Sequence, residues 1–566
     1  MFFDYQLEND KLKQAIRLKN KDKKEGAVLN MTQYDEIKSS YKLEIPENYN
    51  FGFDVIDRRA EEADKLAFIE VDKSGENVRH YQFSDLANSS NQFANGLLSL
   101  GVKKGDLAFV MIPRIGEWYS VMVGCCKLGV VTMPGTNLLT SKDIEYRINR
   151  SKANIAIVTA NNASKVDEIK ANCPSLKTLI VIGEQTKGWN TFESLTKTFS
   201  VKLDKSKLER SKASDLMMIY FTSGTTGMPK MVPRDNGYAY AHTITGRYWM
   251  DQQESDIHWT LSDTGWAKAA WGMLFSPWQM GSAMVLFDGS GFDAELHLNL
   301  IEKLGVTTFC APPTVYRVFA QMDLSSYNLS SVRHALGAGE PLNPEVIKIW
   351  KKATGCNIYD GYGQTETINI VANYPCMPVK PGSMGKPVPG VNVQIVDENG
   401  DICAVNIVGS IAIEITEPLQ PGMFAGYWKD DQATAKCFKN GWYHTGDNGT
   451  VDEDGYYWFV GRSDDIISSS GYRISPFEVE SALLEHPAVL ESAAIGKPDQ
   501  ARGEIVKAFI ILAEGYQPSD ELTKEIQTFM KTLTAPYKYP REIEYVESLP
   551  KTISGKIRRI ELRENN

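Results

Sequence analysis

Apolar positions along the chain change period several times, and the changes outline a domain plan. Between residues 84 and 101 they recur at helical spacing, at Leu86, Phe93, Leu97 and Leu100. The spacing predicts a helix capped by Ser84 and stopped by Gly101. An unbroken apolar run follows at 107–112 and ends at Pro113, the pattern of a buried strand. Further runs lie at 155–158, 178–182, 284–287 and 307–310, with helical stretches between several of them. Strands alternating with helices predict a layered α/β domain with mostly parallel strands.

Near residue 380 the pattern changes. Residues 378–390 are dense in proline and glycine, and short strand candidates follow at 391–396 and 410–415. Turn signals at 398–401 and 453–455 complete the outline of a compact β-rich subdomain over about 380–463. Beyond Asp464 the chain reads as a small α+β unit, with helices near 476–484 and 519–533 and strands near 488–495 and 506–512. The expected division is a large N-terminal α/β domain, residues 1–463, and a small C-terminal domain, residues 464–566. No internal repeat or long low-complexity segment interrupts either.

Composition narrows the class. At 566 residues, 42% hydrophobic and 23% charged, the chain has ordinary globular values and enough length for two or more domains. A formal net charge of −10 argues against a general nucleic-acid partner, which favours a basic surface. The eight cysteines form no Cys-x-x-Cys pair, so neither a zinc site nor a disulfide framework is predicted. The start has no apolar leader, and no apolar run of about 18 residues follows; the expectation is a cytoplasmic protein without an integral membrane segment. Residues 11–24 are rich in Lys and Arg and read as a solvated helix or frayed end. The oligomeric state stays open, a homodimer included.

The chemistry begins at residue 220. Tyr220 and Phe221 lead into Thr222, Ser223, Gly224, Thr225, Thr226, Gly227, Met228, Pro229 and Lys230. Small hydroxyl residues and glycines let backbone N–H groups and hydroxyls face one anion, and Lys230 adds a positive charge, as a triphosphate requires. The loop is not a Walker A motif, because Met231 follows the lysine. Five more motifs follow in order: Gly-Ala-Gly-Glu-Pro-Leu at 337–342, Tyr-Asp-Gly-Tyr-Gly-Gln-Thr-Glu at 359–366, Tyr-His-Thr-Gly-Asp at 443–447, Gly-Arg-Ser-Asp-Asp at 461–465, and Leu-Pro-Lys-Thr-Ile-Ser-Gly-Lys at 549–556. Together they resemble the ANL superfamily of adenylate-forming enzymes, and most nearly its medium-chain acyl-CoA synthetases.

The resemblance implies ATP, Mg²⁺ and coenzyme A as reactants or cofactors, and a role for each matching residue. Residues 222–230 would enclose the β- and γ-phosphates. Glu366 would hold Mg²⁺, a hard cation that favours carboxylate oxygen, and Thr365 would touch the α-phosphate. Asp447 and Arg462 would bind the ribose. Gly339, Glu340 and Pro341, with Asp360, Gly361, Tyr362, Gly363, Gln364 and Thr365, would line the adenine. Lys556 would be the catalytic lysine, its ammonium set where charge develops during adenylation. For the thioester step the small domain would rotate about Asp464. Ser470, Gly471, Tyr472 and Arg473 would then face the pantetheine tunnel, unless Arg473 serves the nucleotide phosphate in the first conformation. Arg502, Tyr539, Pro540 and Arg541 are candidates for the CoA nucleotide.

For the acyl pocket the resemblance points to Trp266 as a wall, together with Gly337 and Gly363. Acetate-restricted relatives carry Trp at the place of Gly363, so the glycine implies an acid longer or broader than acetate: medium-chain, branched or aryl. Lys268 does not suit an apolar tunnel. A buried, unpaired ammonium costs several kcal/mol, so it must reach solvent or find a partner, and it leaves room for a polar or aromatic acid. Three other readings remain open from sequence: an adenylation domain serving a carrier protein, a luciferase-like oxygenase, and a nucleotide-binding scaffold without catalysis.

Overall fold

The computed structural model describes residues 29–222, 228–289, 291–340, 342–469, 472–500, 502–551 and 556–564, the side chain of Arg473 excepted. Two large sheets form most of the N-terminal part. In the nine-stranded sheet, Leu66–Val71, Ala283–Phe287, Ile257–Thr260, Thr308–Ala311, His334–Ala338 and Ile358–Gly363 run parallel, and antiparallel strands close both edges. The seven-stranded sheet is parallel except for its last hairpin, Leu216–Thr222 with Lys230–Asp235. This is the mostly parallel α/β architecture that the alternating pattern predicts.

The helix expected to be capped by Ser84 is capped two residues earlier, by Gln82, and spans Phe83–Ser99. The Asp85 carboxylate accepts from the Gln82 N–H at 2.8 Å, so Gln82 takes the cap position and Ser84 falls inside the first turn. Gly101, at φ 78°, ends the helix as expected. Leu86, Phe93 and Leu97 are buried, and this face packs on the helix Gly116–Leu128. That second helix is buried from Trp118 to Leu128, which explains why its sequence shows no clear amphipathic period.

A five-stranded antiparallel sheet forms the β-rich part: Val393–Val396, Gly409–Glu414 and Trp442–Val451 in order, with Phe438–Lys439 and Tyr457–Arg462 both pairing along the far edge of Trp442–Val451. The turn expected at 398–401 is stabilised by the Asp397 carboxylate, which accepts from the N–H groups of Asn399 and Asp401 at 2.8 and 3.0 Å. The C-terminal part has its own sheet. A long hairpin, Val489–Asp499 with Gly503–Leu512, carries Glu542–Tyr545 in parallel. Its separate core includes Ile467, Ile474, Leu483, Ile510 and Ile526. The short hairpin Ile467–Ser469 with Tyr472–Ile474 was not predicted, since strands this short carry too little period to read. Helix Pro476–Leu483 packs against the strand Tyr457–Arg462 and so joins the two parts. No helix among the described residues is long and apolar enough to cross a membrane.

Candidate active site

The phosphate-loop motif closes a hairpin. Thr222 and Lys230 face each other across the antiparallel pair. Ser223 to Gly227 lie outside the described residues, as do Pro341, Ser470 and Gly471. Met228 is exposed, and the Pro229 carbonyl accepts from the Tyr146 hydroxyl at 3.1 Å. Lys230 Nζ lies 4.7 Å from the centre of the Tyr427 ring, and the Tyr427 hydroxyl donates to Glu366 Oε1 at 2.8 Å. One tyrosine thus stands between the loop lysine and the proposed metal carboxylate.

Glu366 is buried, and burial raises its pKa against the opposing Tyr427 hydrogen bond. Its main-chain carbonyl accepts from Arg234 Nη1 and from the Phe424 N–H, both at 2.9 Å. Arg234 is itself buried, donates also to the Gly422 carbonyl, and stacks over Tyr238 with 3.8 Å from Cζ to the ring centre. Sequence reasoning missed Arg234 and Tyr427. Neither lies in a recognised motif, and a buried arginine bound to carbonyls leaves no charge partner to find by spacing. Thr365 is half-buried beside Glu366.

The strand Trp442–Val451 lies alongside Tyr457–Arg462, and Asp447 faces Arg462 across the pair. Asp447 is buried, and burial raises its pKa; Arg462, Tyr362 and Lys556 act in the other direction. Oδ1 accepts from Arg462 Nη1 at 3.1 Å. Oδ2 accepts from the Tyr362 hydroxyl and from Gln364 Nε2, the latter at 2.8 Å. Lys556 is solvent-exposed, yet its charge acts on both Asp447 and Lys268. Lys556 thus lies within electrostatic reach of Asp447.

Lys268 donates from Nζ to the Ala338 carbonyl at 3.2 Å. Burial lowers its pKa, while Cys310, Glu340 and Asp360 favour its charge. It has the partner that the sequence required of it. Asp360 is pushed up to about 8 by burial, opposed by the Gly361 N–H and by Lys268. Glu340 pairs with Arg317 at 3.3 Å. Gly339, at φ 113°, has open space where a side chain would begin. A side chain at Gly361 would strike Trp249, and a Cβ at Gly337 would make ordinary contact with Ile358 and Asp360. Gly363 is exposed, and its added Cβ would lie 2.4 Å from the Ile368 carbonyl oxygen. Trp266 is half-buried at the start of the short helix Ala267–Ala270.

The candidate CoA residues gather on the C-terminal part. Tyr472 and Tyr537 are exposed and stack at 4.1 Å with their planes 9° apart. Arg541 Nη1 donates to the Tyr539 hydroxyl at 2.9 Å, and the Pro540 carbonyl accepts from Gln527 Nε2 at 3.1 Å. The Arg502 N–H donates to Asp499 at 2.9 Å. Arg473 belongs to the strand Tyr472–Ile474. Asp464 is exposed and lies 3.8 Å from Arg462 Nε.

Comparison with known proteins matches this geometry to a family. Residues 56–428 match the AMP-binding enzyme family, and residues 478–556 match the AMP-binding enzyme C-terminal domain. Acyl-coenzyme A synthetase ACSM3 of Rattus norvegicus is 45% identical over 558 residues, covering 97% of this chain and 96% of that protein. Acyl-coenzyme A synthetase ACSM4 of Homo sapiens is 45% identical, covering 92% and 91%. Among solved structures, the anthranilate CoA ligase AuaEII in complex with anthranoyl-AMP has a TM-score of 0.84 at 33% identity, over 92% of this chain and 98% of that one. A benzoate CoA ligase from Burkholderia xenovorans LB400 has a TM-score of 0.79 at 26% identity, over 91% and 100%. Both synthetases are named as mitochondrial, which overturns the cytoplasmic expectation. Mitochondrial targeting segments are amphipathic and basic, so a search for an apolar leader is blind to them. The chain belongs to the AMP-binding enzyme family, and within it to the acyl-coenzyme A synthetases.

Proposed function

We propose that the protein joins a carboxylic acid larger than acetate to coenzyme A in two steps, through an acyl-adenylate. The acid's carboxylate attacks the α-phosphorus of ATP, and pyrophosphate leaves. The CoA thiol then attacks the acyl carbonyl, and AMP leaves. The observation that carries this reading is a chain of contacts among separate motifs: Lys230 and Glu366 share Tyr427, Arg462 acts on both Glu366 and Asp447, and Lys556 acts on Asp447.

In the first step Lys230 and the loop before it hold the outer phosphates, Thr365 contacts the α-phosphate, and Asp447 with Arg462 fixes the ribose. Lys556 supplies positive charge where the attacking oxygen and phosphate crowd together. Glu366 offers a buried carboxylate, the hard oxygen donor that Mg²⁺ prefers, and bound Mg²⁺ would neutralise phosphate charge. Among the described residues no cluster of three or more His, Cys, Asp or Glu side chains could hold a metal alone, which suits a cation that takes its other ligands from phosphates and water. In the second step residues 464–566 turn as a unit about Asp464, and the Tyr472, Arg502 and Tyr539–Arg541 surface meets CoA.

Substrate class rests on Gly363, Trp266 and Lys268. Aryl-acid ligases among the structural neighbours, named for anthranilate and benzoate, favour an acid with an aromatic or branched body. The decisive assay is a panel of straight-chain, branched and aromatic acids, scored for pyrophosphate without CoA and for AMP plus thioester with it. A protein that releases pyrophosphate with no acid in the panel, or never forms a thioester, would overturn the reading. Pocket size has its own test. Gly363→Trp should shift the profile toward acetate and propionate, with larger acids losing about tenfold or more in rate. Because any side chain here meets the Ile368 carbonyl, Gly363→Ala is the control. Equal profiles in the two variants would mean that Gly363 serves the backbone and not the pocket.

A further inference from the structure

Gln364 sits inside the nucleotide motif, but its amide is already committed. Nε2 donates to the Thr445 carbonyl at 2.9 Å and to Asp447 Oδ2 at 2.8 Å, while Oε1 accepts from the Tyr443 hydroxyl at 2.9 Å. Two acceptors on one side and a hydroxyl on the other leave one orientation of the amide that satisfies all three partners. Both N–H donors are used, so Gln364 has none left with which to read a base.

The three partners share the strand Trp442–Val451 and lie two residues apart along it, at Tyr443, Thr445 and Asp447. Tyr443 is 2% exposed and packs against Phe424 and Phe438. The amide is thus anchored at one end by a rigid aromatic and touches the carboxylate at the other. Two neighbours complete the cage: the Tyr362 hydroxyl on Oδ2 and Arg462 on Oδ1. Three of the carboxylate's roughly four acceptor sites are taken this way, and the one left, on Oδ1, points in a fixed direction.

We propose that Gln364, held by Tyr443, is a positioning residue that aims Asp447, and that it sets how strictly the enzyme distinguishes ribose from 2′-deoxyribose. The inference rests on the reading of Asp447 as the ribose acceptor. A carboxylate held in this way offers its one open Oδ1 site in a fixed direction, and the ribose 2′-hydroxyl takes it. A carboxylate free to turn loses the geometry that makes the missing 2′-hydroxyl costly.

The test compares kcat/KM for ATP with that for 2′-deoxyATP, using the full chain and an acid that it activates, with binding of both nucleotides measured by calorimetry. The ratio is taken within one preparation, so any misfolded fraction cancels. The wild-type protein should prefer ATP, and Asp447→Asn should narrow the ratio. Gln364→Leu, which keeps the bulk and removes the amide, should narrow it by at least about fivefold, the loss of one hydrogen bond to a charged group. Tyr443→Phe should narrow it less. The double variant should be no worse than Gln364→Leu alone, because both changes break one chain of contacts. If Asp447→Asn leaves the ratio unchanged, the ribose assignment itself fails. If Asp447→Asn narrows it while Gln364→Leu lowers both nucleotides equally, the positioning role is overturned. Should Gln364→Leu not fold, Tyr443→Phe decides the same question, since it removes one hydroxyl and keeps the ring.

Discussion

Lys556→Ala should slow adenylate formation by about a hundredfold to a thousandfold, roughly 3–4 kcal/mol of transition-state stabilisation, and leave the fold intact. Lys556 is solvent-exposed, so truncating it opens no cavity, and surface changes of this kind shift stability by about 0.5 kcal/mol or less. Its charge nevertheless acts on Asp447 and Lys268, so it lies within electrostatic reach of both, as an ammonium serving the proposed adenylation step requires. In the proposed mechanism the thioester step comes after the lysine has turned away. The variant should therefore convert synthetic acyl-adenylate plus CoA at close to the normal rate. Three measurements decide the matter: pyrophosphate release from acid plus ATP, thioester formation from preformed adenylate, and the thermal midpoint. Equal loss in both half-reactions, with the midpoint unchanged, would refute a lysine used in only one of two conformations.

What could be read from sequence and what could not divides along a physical line. The parallel sheets were legible because a strand buried on both faces leaves an unbroken apolar run, as at Ala283–Phe287 and Thr308–Ala311. The site motifs were legible because backbone and side-chain donors that converge on a phosphate or ribose constrain several neighbouring residues at once. Arg234 and Tyr427 were not, because each acts through one distant partner: Glu366 lies 132 residues from Arg234 and 61 from Tyr427. Contacts that span such distances leave no period and no local spacing. Gln364 shows the intermediate case. Its motif was plain, but its partners lie on another strand, and only the folded pairing shows that its donors are already used. Lys268 was flagged as out of place because a buried ammonium is costly; the carbonyl that accepts it, on Ala338, belongs to a neighbouring strand and could not be named from spacing.

The hinge can be tested from the way the chain is tied on either side of it. The Ser463 N–H donates to the Gly446 carbonyl at 3.0 Å, which fixes that residue to the strand carrying Asp447. One residue past Asp464, the Asp465 carboxylate is held by Arg563 and lies 3.7 Å from Arg559, both on the last helix, and Arg559 also binds Glu480 at 2.7 Å. Asp464 therefore stands between an anchor on the large part and an anchor on the small one. Its own side chain is exposed, with Arg462 at 3.8 Å, a pair worth about 0–1 kcal/mol, so a turn here would mainly break the bond from the Asp465 N–H to the Arg462 carbonyl at 3.0 Å. Asp464→Pro fixes φ near −65° and should hinder the rotation. Pyrophosphate release should continue at close to the normal rate, while thioester formation slows by about two orders of magnitude, because that step waits on the turn. Asp464→Ala removes the same carboxylate without restricting the backbone and should leave both half-reactions nearly unchanged. If the alanine variant loses the thioester step as well, the carboxylate matters and the torsion does not. If the proline variant loses both half-reactions together, the turn at residue 464 is needed for the first conformation and the pivot lies elsewhere.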